Sequence, residues 1–256
     1  MREQLRIEFN KVPQITLIFW IIKIMSTTVG ETAADYLAVN VGLGTSITDA
    51  IMASLLLAAL LMQLSVQKYI PAIYWLTVVL VSIIGTQITD AMTDGFGISL
   101  YASSAFFSIM LAAIFAVWYL VERTLSIHTI FTLRRELFYW AAILFTFALG
   151  TAAGDLATES LGLGFNIGVM AFGLMIGVVT IAYYFGANPV LAFWIAYILT
   201  RPLGASLGDL LSQAKEYGGL GLGTVLTSAA FLSVICALVI YVSLAGVDRD
   251  RRPARL

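Results

Sequence analysis

Four tryptophans, Trp20, Trp75, Trp140 and Trp194, each stand ten residues before a glycine and fifteen before an aspartate. The glycines are Gly30, Gly85, Gly150 and Gly204; the aspartates are Asp35, Asp90, Asp155 and Asp209. A Gly-x-Gly element follows each time, at Gly42-Leu43-Gly44, Gly95-Phe96-Gly97, Gly162-Leu163-Gly164 and Gly221-Leu222-Gly223. Self-similarity of this kind marks one supersecondary unit copied along the chain. The unit reads W-x9-G-x4-D, a glycine turn, then a second apolar run. Any fold for this chain has to be assembled from four such units.

Composition sets the solvent. Hydrophobic residues make up 60% of the chain and charged residues 11%, with a mean hydropathy of +0.94. A soluble domain carries roughly a quarter charged residues, so this chain lacks the polar surface to face water. A lipid bilayer is its expected partner. Each unit holds two apolar runs near the roughly 20 residues that a spanning helix needs. The spans are expected at 13–37, 45–66, 71–93, 99–121, 136–160, 165–185, 189–213 and 222–245. Pro13, Pro71 and Pro189 open odd-numbered spans, where a missing N–H costs least. Thr45, Ser46, Ser99, Asn166 and Thr224 follow the glycine turns and suit the starts of even-numbered spans.

The expected fold is therefore an all-α integral membrane protein of eight transmembrane helices. It forms one membrane domain over 1–256, with two-helix hairpin repeats at 13–66, 71–121, 136–185 and 189–245. The N-terminal MREQLRIEFNKVPQ is charged for longer than a signal-peptide n-region, so the first span is expected to be retained. Of the fourteen Lys and Arg residues, only Lys215 falls in a glycine-turn loop, and Lys23 and Arg201 lie within spans. The other eleven fall in the termini or in the connectors between hairpins. By the positive-inside rule both termini are cytoplasmic, in the cell (inner) membrane, and the glycine turns face outward. An even number of spans per unit makes the repeats parallel, related by rotation about the membrane normal.

Several chemistries are excluded by count. The net charge of −1 and the lack of a basic patch leave no basis for nucleic-acid binding. Cys236 and His128 are each the sole residue of their type. A disulfide framework, a zinc cluster and histidine acid–base work are thereby removed. With serines and threonines scattered and no base beside them, neither an enzyme nor a covalent cofactor is expected.

Polarity concentrates on the odd-numbered spans. Lys23, Thr27, Glu31 and Asp35 are spaced by four and so share one helical face. The same positions read Val78, Ser82, Thr86, Asp90; Ile143, Phe147, Thr151, Asp155; and Tyr197, Arg201, Ala205, Asp209. A second acid follows at Asp94 and Glu159. Ionisable residues within spans face the bundle interior or a cavity by default. The candidate cation site therefore comprises Glu31, Asp35, Asp90, Asp94, Asp155, Glu159 and Asp209 with the hydroxyls of Thr86 and Thr151. Glu31, Asp35, Asp90, Asp155 and Asp209 are the metal-ligand candidates, and Lys23 and Arg201 the charge-compensating residues. An all-oxygen donor set suits Mg²⁺, Ca²⁺ or Mn²⁺, and crowded carboxylates retain protons when empty. A structural reading stands beside this one: the aspartates bond the backbone of each glycine turn, the glycines admit close helix contact, and the tryptophans pack or anchor. Asp49 reads as a helix-start acid. Pro202 is expected to loosen the seventh helix.

The stretches KVPQITLIFWIIKI, TTVGETAAD, ELFYWAAILFTFALGTAAGD and ILTRPLGASLGDLL resemble a group of uncharacterised bacterial polytopic proteins described as membrane-anchored. The resemblance covers nearly the whole length and implies the membrane fold, with no activity attached. A more distant similarity is to cation/proton exchangers with repeated E-x-G-D-(K/R)-(S/T) motifs. Gly154-Asp155 and Gly208-Asp209 keep the Gly-Asp pair of those motifs, without the preceding Glu or the following Lys or Arg. The leading expectation is a secondary transporter of a hard divalent cation coupled to protons, with lipid, cation and protons as its partners. The alternative is a cation channel or a non-transporting membrane sensor or structural protein.

Overall fold

The computed structural model describes residues 10–40 and 45–246. Its described residues form eight long helices and no strand: α1 (Leu17–Asn40), α2 (Thr45–Ser65), α3 (Pro71–Asp90), α4 (Leu100–Glu122), α5 (Leu133–Asp155), α6 (Gly164–Tyr184), α7 (Pro189–Ser212) and α8 (Thr224–Ala245). All eight are long and apolar enough to cross a membrane. Pro71 and Pro189 sit in the first turns of α3 and α7, and Ser99 caps α4 by accepting from the Ala102 amide. Asn166 does not cap α6: that helix begins two residues earlier, at Gly164, and its N-cap residue is Leu163. Gly162 and Gly164, both with positive φ, bring the chain to that earlier start.

The odd helices form a closed inner ring in which α1 packs on α3, α3 on α5, α5 on α7 and α7 on α1. The repeated residues explain that order. Each tryptophan lies against the aromatic residue that precedes the tryptophan of the previous repeat. The ring-centroid separations are 5.6 Å for Trp75 and Phe19, 5.5 Å for Trp140 and Tyr74, 6.2 Å for Trp194 and Tyr139, and 5.8 Å for Trp20 and Phe193. Seven residues on, the same helical face seats a side chain over the previous repeat's glycine. A methyl group at Gly30 would overlap Ser82, one at Gly85 Phe147, one at Gly150 Arg201, and one at Gly204 Thr27. The W-x9-G spacing is thus a two-point docking code repeated around the ring.

The even helices lie outside, but not where a hairpin would put them. Helix α2 packs chiefly on α3, α4 on α5, α6 on α7, and α8 on α1. Each even helix crosses to the odd helix of the next repeat, so the sequence repeat is not the packing unit. The outward faces expose large apolar side chains such as Leu57, Ile109, Leu174 and Leu244.

The end of the ring at which α1 begins and α8 ends, the terminal end, is filled and bonded. Phe19, Tyr74, Tyr139 and Phe193 are all buried there, and the Tyr74 and Tyr139 hydroxyls are 2.5 Å apart. The segment before α1 is strapped across this end. The Lys11 amide donates to the Ile130 carbonyl (3.0 Å) and the Tyr69 amide to the Asn10 carbonyl (3.2 Å). Lys11 Nζ donates to Glu136 Oε2 at 2.6 Å and to the Leu64 carbonyl at 3.1 Å, and Gln63 donates to Glu136 Oε1 at 3.1 Å.

Candidate cation site

The opposite, acidic end is built from the four stripe positions. Helical register stacks them in layers along the axis, and one residue of the seventh helix ties the second and third layers together. Arg201 is fully buried. Its Nη2 donates to Glu31 Oε2 at 2.6 Å, to Thr151 Oγ1 at 2.6 Å and to the Thr86 hydroxyl, while Nη1 reaches the Thr27 carbonyl at 3.5 Å. It therefore bonds all three polar members of the Glu31–Thr86–Thr151–Ala205 layer, one from each of α1, α3 and α5. The two hydroxyls donate in turn to the Ser82 and Phe147 carbonyls, each at 3.2 Å. Gly150 makes this reach available, since any side chain there would occupy the path of the arginine stem.

Above that layer lie the four aspartates. Carboxylate oxygens of Glu31, Asp155 and Asp209 all fall within 4.8 Å of one another. A hard cation bound at about 2.1–2.6 Å from each ligand has ligand oxygens separated by no more than about twice that distance, so the three already stand at coordination spacing. Glu31 is an electrostatic neighbour of Asp35, Asp90, Asp155 and Asp209 alike, which makes it the common floor of the acidic layer. Asp94 and Glu159 are exposed at the rim, beyond Asp90 and Asp155.

The turn-capping role does not describe Asp90 and Asp155, and the glycine turn that follows Asp35, at 42–44, lies outside the described residues. Asp90 and Asp155 make no side-chain cap bond to the segments that follow them, and Asp35 Oδ2 is buried with no hydrogen-bond partner among the described residues. Those segments, Ala91–Gly95 and Leu156–Ser160, are single π-helical turns that carry Asp94 and Glu159. Such turns widen a helix locally and often occur where a helix meets a functional site. Nothing in residue spacing announces them.

Two other positions differ from expectation. Helix α7 runs without a break through Pro202. Pro202 faces Gly154 of α5 at a distance where a methyl group on the glycine would be in ordinary van der Waals contact with it. Lys23 has no carboxylate beside it. Its ammonium sits 3.8 Å from the Phe147 ring centroid and 4.2 Å from that of Tyr197, with no hydrogen-bond partner among the described residues. Ser82 Oγ, Tyr197 Oη and Arg201 Nε, in the same two layers, are likewise buried and unpartnered. Tyr197 was legible only as the fourth-repeat counterpart of Lys23, and nothing in its identity marked it as a neighbour of that lysine.

A ring of helical repeats around a buried arginine and an acidic cluster is the class of protein that this architecture defines. Residues 18–69, 73–124, 138–187 and 192–247 each match the family described as Repeat of Unknown Function (DUF347), and the chain belongs to that repeat family. No curated protein and no solved structure matches the chain.

Proposed function

We propose that the protein is a multi-pass inner-membrane carrier that exchanges a hard divalent cation, Mn²⁺, Ca²⁺ or Mg²⁺, for protons. In this reading the four parallel repeats, 13–66, 71–121, 136–185 and 189–245, make one domain with pseudo-symmetry about the membrane normal. Both termini are cytoplasmic and the acidic cluster faces outward. The observation that carries the proposal is the approach of Glu31, Asp155 and Asp209, from three different helices, to within one coordination sphere. Glu31, Asp155 and Asp209 hold the cation, Asp35 and Asp90 complete the cage, and Asp94 and Glu159 collect ions at the rim. The hydroxyls of Thr86 and Thr151 serve Arg201, and through it position Glu31.

Arg201 acts as a resident cation. It neutralises part of the acidic layer when the site is empty, and a bound metal has to compete with it for Glu31. This feature, with the aromatic closure at the terminal end, favours a binding carrier over an open cation channel, whose fixed positive charges would repel its own ion. No enzymatic step is invoked.

The test is flux into proteoliposomes of Mn²⁺, Ca²⁺ and Mg²⁺, with and without an opposing pH gradient. The expected outcome is gradient-driven uptake of at least one of them, lost in Glu31→Gln and Asp155→Asn. Wild-type vesicles that move none of the three under any gradient would remove the transport reading.

A further inference from the structure

Lys23 does not fit the scheme of paired charges, and it is the one buried ammonium in the ring that no anion holds. We infer that Lys23 Nζ is the proton-binding site of the exchange, separate from the carboxylates that take the metal. The inference rests on the transport reading above and supplies its coupling ion with an address.

Consider first what faces the amine. From α7 come Tyr197, whose ring lies under Nζ, and Arg201, an electrostatic neighbour. From α5 comes Phe147, which offers a ring face only. On α3 the position matching Lys23 is Val78, which is buried and apolar, and Ser82 one turn on has its hydroxyl seated against Gly30. On α1 itself Glu31 stands two turns away, already paired with Arg201 at 2.6 Å. The titratable residues of α8, Cys236 and Tyr241, are exposed and face away from the ring. Two ring faces can hold the ammonium, and its Nζ has no hydrogen-bond partner among the described residues. A lysine changes protonation readily in such surroundings, and an arginine does not. Of the two buried cations on the polar stripe, Lys23 and Arg201, only Lys23 can serve as the proton carrier.

The geometry also supplies the coupling. Arg201 lies between the metal-binding carboxylates and Lys23, and it has contacts on both sides. It holds Glu31 and Thr151 toward the acidic layer, and its Nη1 already touches the Thr27 carbonyl, one turn from Lys23. When a divalent cation takes Glu31, the guanidinium loses that anion and its charge is left opposed only by neutral groups. Both the arriving metal and the freed guanidinium then disfavour the ammonium. An N–H bond of Lys23 breaks, the electron pair stays on Nζ, and the proton passes to water. When the metal departs, Arg201 returns to Glu31 and Nζ takes up a proton again. One proton is exchanged per turnover at Lys23, whatever the carboxylates release in addition.

The experiment measures protons released on Mn²⁺ binding to the full-length protein in detergent, by titration in weakly buffered pH-indicator solution. Wild type, Lys23→Met and Lys23→Arg are compared. Lys23→Met cannot hold the proton and Lys23→Arg cannot release it, so the two variants approach the same result from opposite sides. Both are expected to bind Mn²⁺ at unchanged stoichiometry while releasing about one proton fewer than wild type, with a correspondingly shallower pH dependence of affinity. Lys23→Arg preserves charge and a long stem, and it covers the case in which Lys23→Met fails to fold. Release equal to wild type in a folded variant would overturn the assignment and place every exchanged proton on the carboxylates. Wild-type protein that binds no Mn²⁺, Ca²⁺ or Mg²⁺ would instead overturn the transport reading itself, and this inference with it.

Discussion

Glu136 and Glu31 are both buried glutamates in the inner ring, and they are held in different ways. Glu136, at the terminal end, accepts from Lys11 and Gln63 on separate segments, and both of its oxygens are used. Glu31, at the acidic end, shares one arginine nitrogen with two threonines, and its neighbour Asp35 has an oxygen, Oδ2, with no partner among the described residues. Buried polar groups in folded proteins are normally satisfied. The Glu136 carboxylate obeys that rule with both of its oxygens, whereas at the acidic end Asp35 Oδ2 is buried without a partner among the described residues. The Glu136 carboxylate is held by the chain's own donors, and the crowded carboxylates around Glu31 stand close enough together to take an occupant from outside it.

The sharpest way to break this contrast is to remove a charge from each half. Glu136→Ala leaves Lys11 buried without its anion and unfastens the strap across the terminal end. Breaking a buried pair in this way costs about 3–5 kcal/mol, and thermal unfolding in detergent is expected to show a loss of that order. Unfolding unchanged from wild type would mean that the strap is dispensable. At the acidic end the expectation reverses. Asp155→Asn removes a charge from a crowded group and is expected to leave the metal-free protein as stable as wild type or slightly more so. What it loses is stabilisation by cation. A ligand at 100 times its Kd contributes about 2.7 kcal/mol, and that shift, expected in wild type with the proposed cation, should vanish in Asp155→Asn and in Glu31→Gln. Equal shifts in all three proteins would assign the acidic layer to structure.

The boundary between the halves is open to test at the glycine seats. Gly150→Ala puts a methyl group into the stem of Arg201. Overpacking of this kind costs about 1–3 kcal/mol and should also weaken cation-dependent stabilisation, because Arg201 positions Glu31. Gly173, in the middle of α6, has nothing within 4 Å of where a side chain would start. Alanine there should gain up to about 1 kcal/mol from helix propensity. If the two substitutions behave alike, the seats are not what closes the ring.

Much of this was legible in the sequence, for reasons that particular residues make plain. The four aspartates and the stripe beneath them share a helical face by arithmetic alone, and Trp-to-Gly spacing marked the repeats. Spacing within a helix says nothing about which neighbour a face meets, so the cyclic order of the ring was not readable. The crossing of each even helix to the next repeat was hidden for the same reason. Arg201 and Glu31 are 170 positions apart, and only the closed ring brings them together. Lys23 and Arg201 look alike in sequence, each eight residues before an acid on its own helix, yet one finds a carboxylate and the other two aromatic rings. The difference arises from the seats. Arg201 passes over Gly150 toward the acidic layer, whereas Lys23, four residues earlier in its repeat, faces Phe147 and Tyr197 across the ring.

The smallest expected effect sharpens the contrast by depth. Asp94 is exposed at the rim, one turn beyond the buried group, and its carboxylate interacts through water. Exposed charges of this kind contribute about 0.2–1 kcal/mol and are screened by salt. Asp94→Asn should therefore leave stability untouched and weaken cation affinity by about twofold at low ionic strength, a factor within that range. The effect should shrink toward nothing at roughly 0.5 M of a monovalent salt, where the screening length falls well below 10 Å. Asp155→Asn should remain inactive at every salt concentration, because a ligand in direct contact with the ion is not screened. Titrating both variants with the transported cation across a salt series separates a charge that steers from a charge that binds. A loss in Asp94→Asn that is as deep as that of Asp155→Asn and indifferent to salt would move the binding site outward to the rim.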